Sequence, residues 1–345
     1  MRLRKFPAGQ LRGALAGLLV ALAQPGRLAA AAPLAEKVTG PASCAECHVE
    51  EIEAWKRTKH NRTLHELPRR PETAEMLLRL GLTKMKGERQ CQDCHFLGQI
   101  IDEEYQTVAG IACESCHGAS RDWIKTHGEY GKGAKQATET AAHRAARRVE
   151  AAAAGMIRAD NIYALGAACY GCHIVADEKL ANVGGHTPGS AGFNLLTWSQ
   201  GEVRHTILHT GNKANPEAAP AHRRILFVVG GILETEYCFR AVAQATVKAG
   251  FGVTQARRAD AARQLLEKIQ ALAPTPELAR IIAVARATGL RLHNAAELAA
   301  AADKIAALGR EFAAQVTGEQ LAGIDALLPG PEAYKGQPYQ VPGSP

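Results

Sequence analysis

Four times in this chain two cysteines stand three positions apart and a histidine follows at once. The motifs are "CAECH" (Cys44, Cys47, His48), "CQDCH" (Cys91, Cys94, His95), "CESCH" (Cys113, Cys116, His117) and "CYGCH" (Cys169, Cys172, His173). Histidine is 13 of 345 residues, so four immediate successes by chance are on the order of one in a million. The chemistry behind the spacing is specific. Two thiols separated by two residues add to the two vinyl groups of one haem, and the next residue lies under the porphyrin and offers its imidazole to iron. Zinc ribbons use C-x-x-C pairs without needing a histidine after each one. Thioredoxin-like redox sites use a single pair after a strand. The spacing predicts four covalently attached haem c groups.

This reading explains a lean composition. Aromatic residues are only 5% of the chain, and porphyrins supply apolar surface in their place. The N-terminus fits the same chemistry. "MRLRKF" is basic, "GALAGLLVALA" is an apolar run too short to span a bilayer, and "RLAAAAP" supplies small residues for cleavage near Ala30 to Ala32. Residues 1–32 are expected to be a signal peptide, giving a periplasmic, soluble mature protein with no membrane span. The formal charge of +7 includes five basic residues before Glu36, so the mature chain is near neutral. No basic stripe interleaved with aromatics remains, and nucleic acid is not an expected partner. Haem propionates would pair with cations around "KRTKHNR" and "HRAARR"; the other use of those cations is docking an acidic partner.

A low-spin electron-transfer haem needs a second axial ligand. Beyond the motif histidines stand His60, His65, His127, His143, His186, His205, His209, His222 and His293. "VEEIEAWKRTKH" reads as helix between His48 and His60, and twelve helical residues span about 18 Å. Two imidazoles on one iron have nitrogens only about 4 Å apart, so His60 is expected to serve another haem than its own motif's. "CESCHGASRDWIKTH" places His127 in the same relation to His117.

The first motif with its "WKRTKH", the close second and third motifs, and the histidine ten residues beyond the third resemble the tetrahaem cytochrome c554 family over roughly residues 40 to 175. The resemblance implies that His60 ligates the third haem, that His127 ligates the first, and that the second haem is five-coordinate. One departure stands out. The family's histidine just before the fourth motif is missing from "NIYALGAAC". His186, in a Gly/Pro loop, is the favoured ligand for the fourth haem, with His205 next; His205 and His209 are spaced to share a helix face. His65 and His143 could close the second haem or be solvated.

The fold class expected is mainly α: a multihaem module with little sheet over residues 33–220, then a helical bundle over 221–330 and a disordered tail over 331–345. "HRRILFVVGGILETEYCFRAVAQATVKAG" reads as an apolar helix with a potential break at Gly230-Gly231. Leu265, Leu266, Ile269 and Leu272 form one apolar stripe; Leu278, Ile281, Ile282 and Ala285 a second; Leu298, Ala302, Ile305, Phe312 and Val316 a third. Without haem motifs, this region is expected to dock or oligomerise the module. The function expected is electron transfer between a donor and an acceptor protein. The alternatives are an oxidoreductase acting on nitric oxide or hydroxylamine at an open haem, and a haem-bearing structural subunit.

Overall fold

The computed structural model describes residues 32–190 and 192–344; the expected signal peptide lies outside them except at its last residue. The described chain is mainly helical. Helices α1 (Pro41–Ala45), α2 (Val49–Lys56), α3 (Lys59–Glu66), α4 (Pro71–Leu80) and α5 (Arg89–His95) lead into a hairpin of β1 (Leu97–Ile101) and β2 (Glu104–Ala109). Then come α6 (Cys113–His117), α7 (Ala141–Ala153), α8 (Ile162–His173), α9 (Glu178–Asn182) and α10 (Leu195–Ser199). Four long helices close the chain: α11 (Pro220–Ala243), α12 (Gly250–Leu272), α13 (Pro276–Ala287) and α14 (Ala295–Gln315). Among the described residues no helix is long and apolar enough to cross a membrane.

Local chemistry sets the helix starts. The side chains of Thr58, Thr140, Asn161, Asp177, Asn194 and Thr275 each accept a first-turn backbone N–H. Proline opens α1, α4, α11 and α13, where a missing N–H costs nothing. Thr58 also ends the straight-helix reading of "VEEIEAWKRTKH". It caps α3, so the chain turns between α2 and α3 instead of running through.

The apolar residues divide unevenly. Residues 33–160 hold only small clusters, such as Val38, Leu97, Ala109 and Ala112, or Met85, Cys91 and Phe96. One continuous core takes in α8, α10 and all four long helices. Its axis is α11, whose buried residues run almost without a gap from Ile225 to Val242. This helix is unbroken at Gly230-Gly231. The two glycines serve close packing: a Cβ on Gly230 would lie 3.1 Å from Leu195 Cβ, and one on Gly231 3.0 Å from Leu266 Cδ2. Of the expected stripes, the second and third are buried throughout; in the first, Leu272 is 46% exposed.

The boundary drawn at residue 220 therefore runs through a shared core. Tyr163, Tyr170 and Ile174 of the fourth-motif segment pack among the same side chains as Leu233, Phe239 and Phe312. Tyr163 Oη donates to Glu236 at 2.6 Å, and Arg240 joins Glu236 to Asp303. The tail also departs from expectation. It has the composition of a disordered segment, yet Tyr339 and Val341 are buried with Ala54 and Ile207. Tyr339 Oη donates to Glu50 at 2.8 Å, and Arg57 lies over the Tyr339 ring. Specific contacts with α2, and not periodicity, order it.

Candidate haem-binding sites

Each motif occupies one tight turn of chain. His95, His117 and His173 are the last residues of α5, α6 and α8, while His48 opens α2. None of the nine cysteines is in a disulfide. Burial pushes the Cys116 thiol up to about 11 and that of Cys169 higher still. The motifs meet in a definite order. Helix α1 of the first motif meets α6 of the third, and α5 of the second meets α8 of the fourth. Helix α6 of the third motif also meets α8 of the fourth. Along the molecule the motifs thus run first, third, fourth, second.

Every motif histidine faces a second imidazole. Ring centres are 6.2 Å apart for His48 and His127, 6.1 Å for His95 and His186, 6.1 Å for His117 and His205, and 6.3 Å for His173 and His60. A metal between two imidazoles needs about 2 Å to each nitrogen, and each nitrogen is about 1.1 Å from its ring centre, so the expected separation is about 6.2 Å. The four pairs match that spacing.

The other ring nitrogen is engaged in most of these histidines. Nδ1 of His117 lies 2.8 Å from the Ile157 carbonyl, and that of His127 lies 2.6 Å from Ile124. Nδ1 of His186 is 2.7 Å from the Thr187 carbonyl, that of His205 is 2.6 Å from Val203, and that of His173 is 2.7 Å from Ser190 Oγ. A carbonyl can only accept, so Nδ1 carries the proton and Nε2 keeps its lone pair for a metal. Burial, with His186 close by, holds His95 down to about 4; burial, with His205 close by, does the same for His117. Burial lowers His60, His127 and His173 too, the last to about 3. The buried rings are therefore neutral, the form that ligates.

Several expectations from sequence and resemblance change. His127 does stand opposite His48. His60 stands opposite His173 and not against the third motif, because the turn at Thr58 carries it toward the second and fourth. His186 faces His95, so the second motif is not open on its far side. His205 faces His117. It sits in a loop ahead of the 3₁₀ turn Ile207–Thr210, so it does not share a helix face with His209. His65 is exposed on α3, and His143 places Nδ1 2.8 Å from Glu139.

The surroundings fit a large planar group with acidic substituents. The Nε atom of Arg204 is buried without a hydrogen-bond partner, and that of Arg158 is buried with only the Asp160 carboxylate, 3.5 Å away, beside it. Arg158 follows the carbonyl that fixes His117, and Arg204 precedes His205. A partly desolvated guanidinium favours an anion beside it, and a haem propionate would be such an anion. The indole N–H groups of Trp123 and Trp198 are likewise buried and unpartnered. Trp123 packs edge-on to His127 at 5.2 Å, and Phe193 stacks on His173 at 4.2 Å.

Sequence reasoning passed over two carboxylates. Glu114, inside the third motif and 1% exposed, accepts from Thr39 N, Gly40 N, Ser120 N and Ser120 Oγ. It ties the segment before the first motif to the third. Glu51 accepts from Leu208 N and lies 3.7 Å from His48 Nδ1. A glutamate three residues after a motif histidine was the available signal for Glu51; nothing in "CESCH" marked Glu114.

Residues 43–118 match the family model described as "Cytochrome c554 and c-prime". The "Cytochrome c-554" of Nitrosomonas europaea is 29% identical over 128 residues, which are 35% of this chain and 53% of that protein. The chain spans about half the length of this curated relative. No solved structure matches it. The segment 43–118 belongs to the cytochrome c554 family, and the chain is a c-type cytochrome.

Proposed function

We propose that the protein is an exported, periplasmic tetrahaem electron carrier, with four covalently attached haem c groups each held between two histidines. The first haem would be held by Cys44, Cys47, His48 and His127, and the second by Cys91, Cys94, His95 and His186. The third would be held by Cys113, Cys116, His117 and His205, and the fourth by Cys169, Cys172, His173 and His60. The observation that carries the reading is the set of four facing imidazole pairs at 6.1 to 6.3 Å. Bound haem supplies one-electron exchange at iron. The chain's own part is to fix both imidazoles and hold neighbouring motifs in contact. Contact matters because electron tunnelling falls steeply with distance, and the motif helices meet in a continuous line, α1 with α6, α6 with α8 and α8 with α5.

Catalysis on nitric oxide or hydroxylamine requires an iron with a free face. Each of the four motif histidines has an imidazole opposite it, so the carrier reading is the better supported. Donor and acceptor would be redox proteins, in the nitrogen-cycle setting that the family resemblance implies. The intact mass of mature protein should show four haem increments, and a redox titration should take up four electrons per chain. Three or fewer increments in fully matured protein would contradict the haem count.

A further inference from the structure

The loop that carries His205 has no helix or strand of its own. It leaves α10 at Ser199 and reaches the 3₁₀ turn at Ile207. Both neighbours of His205 are nevertheless pinned by one side chain. Asn215, 7% exposed, accepts the Thr206 N–H at 3.0 Å through Oδ1 and donates to the Arg204 carbonyl at 2.8 Å through Nδ2. The same amide nitrogen donates to the Tyr339 carbonyl at 3.0 Å. Asn215 thus clips the two ends of the His205 peptide to the C-terminal segment.

That segment grips the loop at a second place. Lys335 N–H donates to the Thr197 carbonyl at 3.0 Å, and Glu202 N–H donates to the Lys335 carbonyl at 2.9 Å. Between them lies Gly201, on which a Cβ would sit 2.1 Å from Lys335 O and 2.7 Å from Lys335 C. The Gly201 backbone lies outside the positive-φ region. Only the close passage of residue 335 requires a glycine there.

We propose that Asn215 and the segment 335–341 are positioning elements for His205, so that the distal ligand of the third haem is held in place by contacts with the C-terminal segment. The inference rests on the reading of His205 as that ligand. An imidazole on an untethered loop must order the loop each time it binds, which weakens its hold on iron. A clip that has already ordered Arg204 and Thr206 removes that cost. The Asn215 amide bonds to Thr206, Arg204 and Tyr339 and to neither imidazole of the pair, so its action is through the loop.

The test compares His205→Ala, Asn215→Ala, Gly201→Ala and the double variant Asn215→Ala/His205→Ala in the full, matured chain. Ferric high-spin fraction and carbon monoxide bound per reduced chain are the readouts. His205→Ala is expected to convert one quarter of the haem to high-spin and bind one carbon monoxide. Asn215→Ala and Gly201→Ala are each expected to give a high-spin fraction rising toward one quarter, and the double variant no more than His205→Ala alone. If both single variants stay fully low-spin while His205→Ala does not, the positioning role is wrong. A double variant beyond one quarter would show general damage and also overturn it. If His205→Ala itself stays fully low-spin, the ligand reading fails first. Should Asn215→Ala not mature, Gly201→Ala decides from the other side of the contact.

Discussion

His60 and His205 separate two wirings of the protein. Family resemblance gives His60 to the third haem; the geometry puts its ring 6.3 Å from His173 and gives His117 to His205 at 6.1 Å. Replacing either histidine by alanine removes one imidazole from one pair. With four haems, each single variant should lose the low-spin signature of one quarter of the iron. The double variant shows whether both histidines are ligands. If both are, the losses add, and half of the haem becomes high-spin. If only one is, the second substitution costs nothing more, and the fraction stays at one quarter. Electron paramagnetic resonance of the ferric protein, integrated against total haem, gives these fractions directly. Free imidazole added to His60→Ala should restore the low-spin signal by filling the space of the missing ring. A double variant that remains at one quarter would show that one of the two histidines ligates no iron and would refute this set of pairs.

Three further outcomes follow from named contacts. Glu114→Gln keeps the shape but loses charge assistance on hydrogen bonds to three backbone N–H groups and a hydroxyl, so it should destabilise the first and third haem sites by about 3 kcal/mol; a urea titration followed at their low-spin signals measures this. Arg147 beside Glu139, helped by His143 and Arg144, holds the Glu139 carboxyl down to about 2 from its ordinary 4.5, while Arg147 also donates to the His127 carbonyl. A depressed carboxylate stabilises above its unfolded value and loses that contribution as pH falls through the folded one. The His127 ligation should therefore weaken between about pH 4.5 and 2 in the native protein, and Glu139→Gln should flatten that dependence in a spin-state titration. A chain ending at residue 219 would uncover Tyr163, Tyr170, Phe193, Leu195 and Leu196. At about 2 kcal/mol per large side chain the loss is about 10 kcal/mol, comparable with a whole domain's stability. The fourth haem should fail to load in such a chain, whereas a merely docking role for α11–α14 would leave all four in place.

Attachment chemistry was legible because it is local: each C-x-x-C-H motif is complete within five residues. Pairing was not, because it depends on where the chain turns. Thr58 caps a new helix three residues after Trp55, which sends His60 to the fourth motif. His186 and His205 lie in loops, where spacing says nothing about direction. The long helices were legible from their apolar stripes, but their union with α8 was not, since Tyr163 and Tyr170 sit in a segment dominated by its motif. The β1–β2 hairpin turns at Asp102 and Glu103, both with positive φ, a conformation usually signalled by Asn-Gly. The tail misled through composition: Tyr339 and Val341 are two anchors in a Pro/Gly-rich segment.

The central claim is that every haem iron lies between two histidines. Spin state and carbon monoxide uptake of the unaltered, fully matured protein test it most directly. The account predicts four low-spin ferric haems per chain and no stoichiometric carbon monoxide binding after reduction. One high-spin haem that binds carbon monoxide, assigned to Cys91, Cys94 and His95, would show that His186 does not ligate and would restore the open-iron reading.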